Sequence, residues 1–458
     1  MTTARARQLR QLLVHEKSLR CGNLQDKSNV LSTSLPAVLQ DKTMERLALA
    51  ANPDHFLCQI KKECLELHNA FGPVSEAFKS RLESLSPETI FLRVSHQPNT
   101  LCQLNVVGLT ILANKLSLDI ERSFNAKCQV LFICIDYDVA GDQRFRGPRL
   151  PGIKEGSVFG LNGAVPKFYH ETPALFCPSV PKSTLQAWSS SLMNSASFWS
   201  RNIGKIKYTK HSLVAAIEHE MKEYSRGNSI CEQNIFHLMD LVLNKFSLPV
   251  IFARASSLFA KSAAALKSLL EMGERNEQLM CYLDKSIWRF CNQCLDRSEF
   301  SLRGMHNSDS YLCEKCRANR LKSNKFRSYY SWERGIEPVP KFAPKVILDD
   351  LLDFVNMPKS IGIHYAGGTE HLFNSRSLAC DLGLELAPDF VWEPLRVVES
   401  SDSSEESLAP GISPPNAKTI GDNEATMEFS KGKFPCVFLG LCFGYNYLAN
   451  RIEQSALA

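Results

Sequence analysis

The feature that most constrains this chain is a strand, a helix and a second strand fitted into about 45 residues, from Phe91 to Ile135. The first strand is short and apolar and stops at Ser95-His96-Gln97-Pro98-Asn99. Val106, Leu109, Leu112 and Leu116 then recur at helical spacing. Gln129 to Ile135 follows as an apolar run without alternation, the pattern of a strand covered on both faces. Such a unit joins parallel strands through a right-handed crossover. It also gathers polar side chains and free helix N–H groups at the carboxyl edge of the sheet, where open α/β sheets bind ligands.

The same reading extends along the chain. Asp54 to Phe71 reads as a helix capped by Asp54, with Phe56, Ile60, Cys64 and Leu67 on its apolar face and Gly72-Pro73 as its stop. Helical sequence dominates from His211 to Phe246, Leu248 to Phe252 reads as a buried strand, and Ser257 to Phe290 as one or two long helices. Val346 to Phe354 is helical or strand-like, and Ile361 to Tyr365 is a strand leading into Ala366-Gly367-Gly368. The expected fold class is α/β: a Rossmann-like doubly wound parallel sheet with helical additions and an inserted zinc ribbon. The expected divisions are a disordered segment 1–40, a first part of the core 41–290, a ribbon 291–316, a second part of the core 317–398, a linker 399–433 and an apolar end 434–458. The linker holds Ser400, Ser401, Ser403, Ser404, Glu405 and Glu406 followed by Pro410, Pro414 and Pro415, with too little apolar surface to offset ordering entropy.

At 458 residues the chain has room for two or three domains, and its net charge of +5 does not by itself argue for nucleic acid. No apolar run reaches the length of a membrane helix; Phe434 to Ala449 comes nearest, but Gly440, Gly444 and Asn446 interrupt it, so it reads as core. No membrane partner is therefore expected. Arg5, Arg7 and Arg10 precede the first acidic residue, Glu16, faintly as in an organelle transit peptide, but the preferred reading is a basic helix or frayed tail. Sixteen cysteines with no secretory signal read as reduced thiols, which makes the cytoplasm the expected location and organelle targeting the alternative.

Among those thiols, Cys291-x2-Cys294 and Cys313-x2-Cys316, 18 residues apart, have the spacing of a zinc ribbon. Each pair sits on a tight turn, and two turns complete a tetrahedral cage with sulfur about 2.3 Å from zinc. Four thiolates leave no open position, so this Zn2+ is expected to be structural. Arg317, Arg320, Lys322, Lys325 and Arg327 follow, and the basic stretch 317–327 is either an RNA contact or a solvated face.

Three strand ends carry unusual polar residues: His96-Gln97-Pro98-Asn99, Asp136-Tyr137-Asp138 with Asp142 beyond, and Tyr365-Ala366-Gly367-Gly368-Thr369-Glu370. Glycines at a strand exit let the backbone approach a ligand, two aspartates can hold magnesium, a ribose or an ammonium, and histidine can donate or accept a proton near neutral pH.

Val94 to Leu116, with Gln97-Pro98, Leu101 and Lys115, resembles the segment of the bacillithiol-biosynthesis cysteine-adding enzymes that reads Gly-Gln-Gln-x-Gly-Leu and runs into a helix with a lysine. Val130 to Asp138 resembles that family's next strand, which ends in Glu-Asp-His-Asp. Pro344 to Pro388 resembles its late segment with Tyr-x-Gly-Gly-x-x-Glu, here Tyr365 to Glu370. The likeness spans residues 85 to 396. It implies a core related to class I ligases and nucleotidyltransferases, and a reaction joining cysteine's carboxyl to the amine of an amino-sugar conjugate. The chain departs from the pattern in having Ser95-His96 before Gln97, in its shortened acidic motif, in the ribbon, and in having the tail from Phe434 in place of a coiled coil.

The reading that results is a ligase-like enzyme that activates a carboxylate and forms an amide. His96, Gln97, Asp136, Asp138 and Glu370 are its catalytic candidates. Asn99, Lys115, Tyr365, Gly367 and Gly368 are its substrate and nucleotide contacts, with ATP or ADP and Mg2+ as cofactors and an amino acid and an amine as partners. The alternatives are a zinc-ribbon RNA-binding protein with a degenerate synthetase-like core, and an assembly factor that uses the Ser-rich loop.

Overall fold

The computed structural model describes residues 53–136, 140–152, 158–170, 172–202, 205–259, 287–289, 342–344, 360–365, 389–392 and 434–457. In chain order they form helices α1 (Pro53–Phe71) and α2 (Glu76–Glu83), strand β1 (Ile90–His96), helix α3 (Leu104–Phe124) and strand β2 (Cys128–Cys134). A single turn, α4 (Gln143–Arg146), precedes the antiparallel pair β3 (Arg149–Pro151) and β4 (Val158–Gly160). Next come α5 (Lys182–Asn202), α6 (Lys210–Tyr224) and α7 (Ile230–Met239), which passes into a π-helical turn, Asp240–Lys245. Strand β5 (Ile251–Arg254) and the short α8 (Ala255–Phe259) follow. The later elements are β6 (Ile287–Arg289), β7 (Phe342–Pro344), β8 (Ser360–Tyr365), β9 (Asp389–Trp392), α9 (Cys436–Phe443) and α10 (Tyr445–Leu457).

Two compact units divide the chain, Met1–Phe91 with Ala253–Val391 and Leu92–Phe252 with Trp392–Ala458. In the first unit α1 packs on α2 and α8. An ion pair among its described residues ties the unit: Arg254 Nε and Nη2 donate to the two carboxylate oxygens of Glu63, at 2.7 and 3.3 Å. The Arg254 backbone N–H donates to the same carboxylate at 3.2 Å, so Glu63 is satisfied although almost fully buried. His68 stacks on Phe78 at 4.0 Å, and burial lowers its pKa to about 3, helped by the charge of Arg81. Strands β6 and β7 pair antiparallel, and β8 lies beside β9. Two expectations are corrected here. Helix α1 begins at Pro53, with Asp54 already inside it, because proline loses nothing in the first turn, where its missing N–H would be unpaired anyway. Ile287–Arg289, read as helix, is strand, since pairing with Phe342–Pro344 outweighs local helix preference.

The second unit carries the expected strand-helix-strand unit. Its sheet is small and parallel, in the order β5-β2-β1, amid mostly helical structure. All seven residues of β2 are buried, as the unalternating run requires, and Phe132 stacks on Phe252 of β5 at 5.4 Å. Helix α3 is buried on every side from Leu104 to Ala113, not along one stripe, because β2 covers one side and α9 and α10 the others. Each fully buried Leu, Ile, Val or Phe here contributes about 1.5–3 kcal/mol.

Of the stretch read as core, Phe434 to Ala449, residues 434–443 are buried throughout, whereas beyond them Leu448 is buried and Asn446 is exposed. Every residue of α9 is buried. Gly444, at φ 87°, stops α9 in a conformation that other residues reach only with strain, and a side chain at Gly440 would collide with the Tyr445 ring. The backbone N–H groups of Lys205 and Ile206 satisfy the Cys442 carbonyl at 2.9 and 3.2 Å. The C-terminal segment also changes the site: Leu104 N–H donates to the Phe434 carbonyl at 3.1 Å, and Cys436 N–H to the Cys102 carbonyl at 2.7 Å, on either side of a bridge between Gln103 and Pro435. The first N–H of α3, expected to be open to a ligand, is therefore closed by the chain itself.

Candidate active site at the carboxyl edge of β1 and β2

His96 ends β1, and its carbonyl accepts from Ile135 N–H at 3.0 Å, which sets the ends of β1 and β2 side by side. His96, Gln97, Asn99 and Asp136 meet at this edge. Burial separates their characters. His96 is half-buried with Nδ1 at 2.9 Å from the Gln97 carbonyl oxygen; Gln97 is buried, Asn99 is 1% exposed and Asp136 is 0% exposed. Among the described residues neither Oδ1 nor Nδ2 of Asn99 has a hydrogen-bond partner.

Helix α7 holds this edge in place with residues that sequence reading missed. Asn234 Nδ2 donates to the Pro98 carbonyl at 2.9 Å and to Thr100 Oγ1 at 3.3 Å, while its Oδ1 accepts from the Tyr224 hydroxyl at 2.7 Å. Thr100 Oγ1 in turn donates to the Phe145 carbonyl at 2.8 Å. One turn before Asn234, Cys231 Sγ donates to the Asp136 carbonyl at 3.7 Å. Burial raises the Tyr224 pKa, against a hydrogen bond with Thr100, so its hydroxyl stays a donor. The signal available in the sequence was Asn234 itself, an amide that falls between Cys231 and Leu238 among the residues buried in α7.

Several expected site residues lie elsewhere. Lys115 is eleven residues into α3, about 16 Å along the axis, with Nζ paired to Asp119 at 3.3 Å. The Asp142 carbonyl accepts from the N–H groups of Phe145 and Arg146 and so opens α4. Tyr365 ends β8 in the first unit. Asp138, Gly367, Gly368, Glu370, the cysteines Cys291, Cys294, Cys313 and Cys316, the basic stretch 317–327 and the segments 1–40 and 399–433 lie outside the described residues. Among the described residues no three His, Cys, Asp or Glu side chains come together to chelate a metal ion, and no helix is long and apolar enough to cross a membrane.

Chemically, the edge offers a half-buried imidazole and two amides beside the fully buried Asp136, a set suited to a polar small molecule. Fold and site together define a mixed α/β protein with a candidate site at the carboxyl ends of parallel strands. No protein-family model and no curated protein matches the chain.

Proposed function

We propose that this chain is a ligase-like enzyme that joins an activated carboxylate to an amine, with its site where β1 and β2 end in a Rossmann-like core. The observation that supports this most is Asn99. Leaving both polar atoms of a buried amide unpaired costs about 1–3 kcal/mol, and such a group is retained where a ligand supplies its partners. The resemblance of residues 94–138 to the cysteine-adding enzymes supplies the reaction class, with cysteine as the amino acid and an amino-sugar conjugate as the amine. In this reading Asn99 and Gln97 orient the substrate and His96 stabilises charge that develops at the reacting carbonyl. Asp136, without solvent exposure, stiffens the edge. The four cysteines from Cys291 to Cys316 hold a structural zinc in the inserted ribbon.

Part of the expected nucleotide site, Gly367 and Gly368, lies outside the described residues; within them Leu104 N–H at the start of α3 already donates to Phe434, so a phosphate held there would rely on other groups. The test is amide formation from cysteine and an amino-sugar amine, followed by mass spectrometry with and without ATP. His96→Ala should lower the rate by about 100-fold or more. Full turnover in both His96→Ala and Asn99→Ala would contradict the reading.

A further inference from the structure

The C-terminal segment reaches the start of α3 through a backbone bridge that carries two thiols. Gln103 pairs antiparallel with Pro435. On one side of that pair Leu104 N–H donates to the Phe434 carbonyl at 3.1 Å, and on the other Cys436 N–H donates to the Cys102 carbonyl at 2.7 Å. In this register Cys102 stands directly opposite Cys436. Opposed residues of an antiparallel pair point to the same face, and a pair joined by a backbone hydrogen bond has its Cα atoms about 5.5 Å apart. A disulfide takes Cα separations of about 4.4–6.8 Å, so the bridge holds two cysteines at cross-linking distance.

Two further observations bear on the same place. Cys102 Sγ lies 3.6 Å from the Gln103 carbonyl oxygen, so the thiol stays beside the bridge. Leu101, the residue before, has φ 46°, a left-handed backbone that a leucine adopts only under strain. Such strain persists where the surrounding structure imposes it, and it gathers at functional and switching segments. Both cysteines are fully buried, and burial keeps each thiol protonated, with Cys102 pushing Cys436 the same way. Thiolate is the reacting form, so the pair is inert while the segment is seated and open to exchange when residues 434–436 lift from α3.

We propose that Cys102 and Cys436 form a reversible disulfide that locks the C-terminal segment onto the start of α3. The co-reactant is a small disulfide such as oxidised glutathione. One cysteine thiolate attacks it and releases a first glutathione thiol. The other cysteine thiolate then attacks the mixed disulfide, closes the Sγ–Sγ bond and releases the second. The cysteines lose two electrons and two protons, which leave on the two glutathione thiols. The lock holds Leu104 N–H on the Phe434 carbonyl, beside the edge that carries Asn99, whichever molecule that edge binds.

The test holds the full chain in glutathione buffers of rising oxidised fraction, quenches with acid, alkylates the remaining thiols and maps non-reduced peptides by mass spectrometry. A peptide pair joining Cys102 to Cys436 is expected as the buffer becomes oxidising, and dithiothreitol should abolish it. The oxidised chain should unfold at a Tm ~4 °C or more above that of the reduced chain. Cys102→Ala and Cys436→Ala should each remove that difference. If either variant fails to fold, the peptide map of the wild type decides alone. The proposal is overturned if Cys102 and Cys436 stay as thiols, or carry glutathione without joining each other, once Cys58 is fully glutathionylated. A Tm difference that survives in both variants overturns it equally.

Discussion

The side-chain amide of Asn234 donates to the Pro98 carbonyl at 2.9 Å, so helix α7 fixes the loop that leaves β1. The same amide also reaches Thr100 and accepts from Tyr224, which makes it the hub of a buried network. Asn234→Ala should destabilise the protein by about 2–3 kcal/mol, read from urea unfolding, because three groups lose their partner at once. Tyr224→Phe should cost about 1–2 kcal/mol, since it removes the donor to Asn234 Oδ1 and the hydrogen bond with Thr100. Equal stability of Asn234→Ala and wild type would show that the network does not hold the loop.

His237 sets a pH dependence whose sign follows from its folded pKa of about 3, below the unfolded value of about 6.5. Its neutral form is the one the fold accepts. The stability it confers is fully present above pH 6.5 and is lost as the pH falls toward 3. Between those values the loss approaches 1.4 kcal/mol per pH unit, about the maximum for one group. Urea unfolding from pH 7 to pH 5 should therefore show a shallower decline in His237→Phe than in the wild type. Parallel curves would mean that His237 is not held neutral.

In the first unit, Arg254→Ala strands the Glu63 carboxylate in a buried position without its bidentate partner. The expected loss is about 3 kcal/mol, more than for an exposed pair. The measurement is Tm or urea midpoint; a change below about 0.5 kcal/mol would contradict the buried-pair account.

Thiol reactivity should separate sharply. Cys58 is exposed, whereas Cys102, Cys436 and Cys442 are buried, and burial pushes all three thiols upward in pKa. Native labelling with iodoacetamide followed by peptide mass spectrometry should modify Cys58 and spare the other three. Labelling of Cys102 or Cys436 at the rate of Cys58 would show that the C-terminal segment does not stay seated on the start of α3.

The sequence showed the β1-α3-β2 unit clearly because it is local: apolar periodicity, a polar break and a second apolar run lie close together. His96, Gln97, Asn99 and Asp136 were legible for the same reason, since strand ends in a parallel unit share an edge. What escaped was set by distant partners. Phe434 reaches Leu104 from more than 300 residues away, and nothing near Leu104 announces that its N–H is taken. The strand at Ile287–Arg289 depends on Phe342–Pro344, and Asn234 reads locally as one polar residue in a helix. Pairings of this kind leave no periodic trace.

If Asn99 is kept for a ligand rather than for the fold, as proposed, thermal stability should depend on ligand through this residue. The comparison is wild type against Asn99→Ala, each alone and with cysteine, other amino acids, an amino-sugar amine, ATP and short RNA. Because neither amide atom of Asn99 has a partner among the described residues, the variant without ligand should unfold within about 1 kcal/mol of the wild type. Cysteine or the amine should raise Tm in the wild type, by an amount equivalent to about 2.7 kcal/mol at 100 times Kd, and should do so far less in the variant. A variant that is strongly destabilised alone yet shifts with ligand as the wild type does would contradict the account, as would a wild type that responds only to RNA.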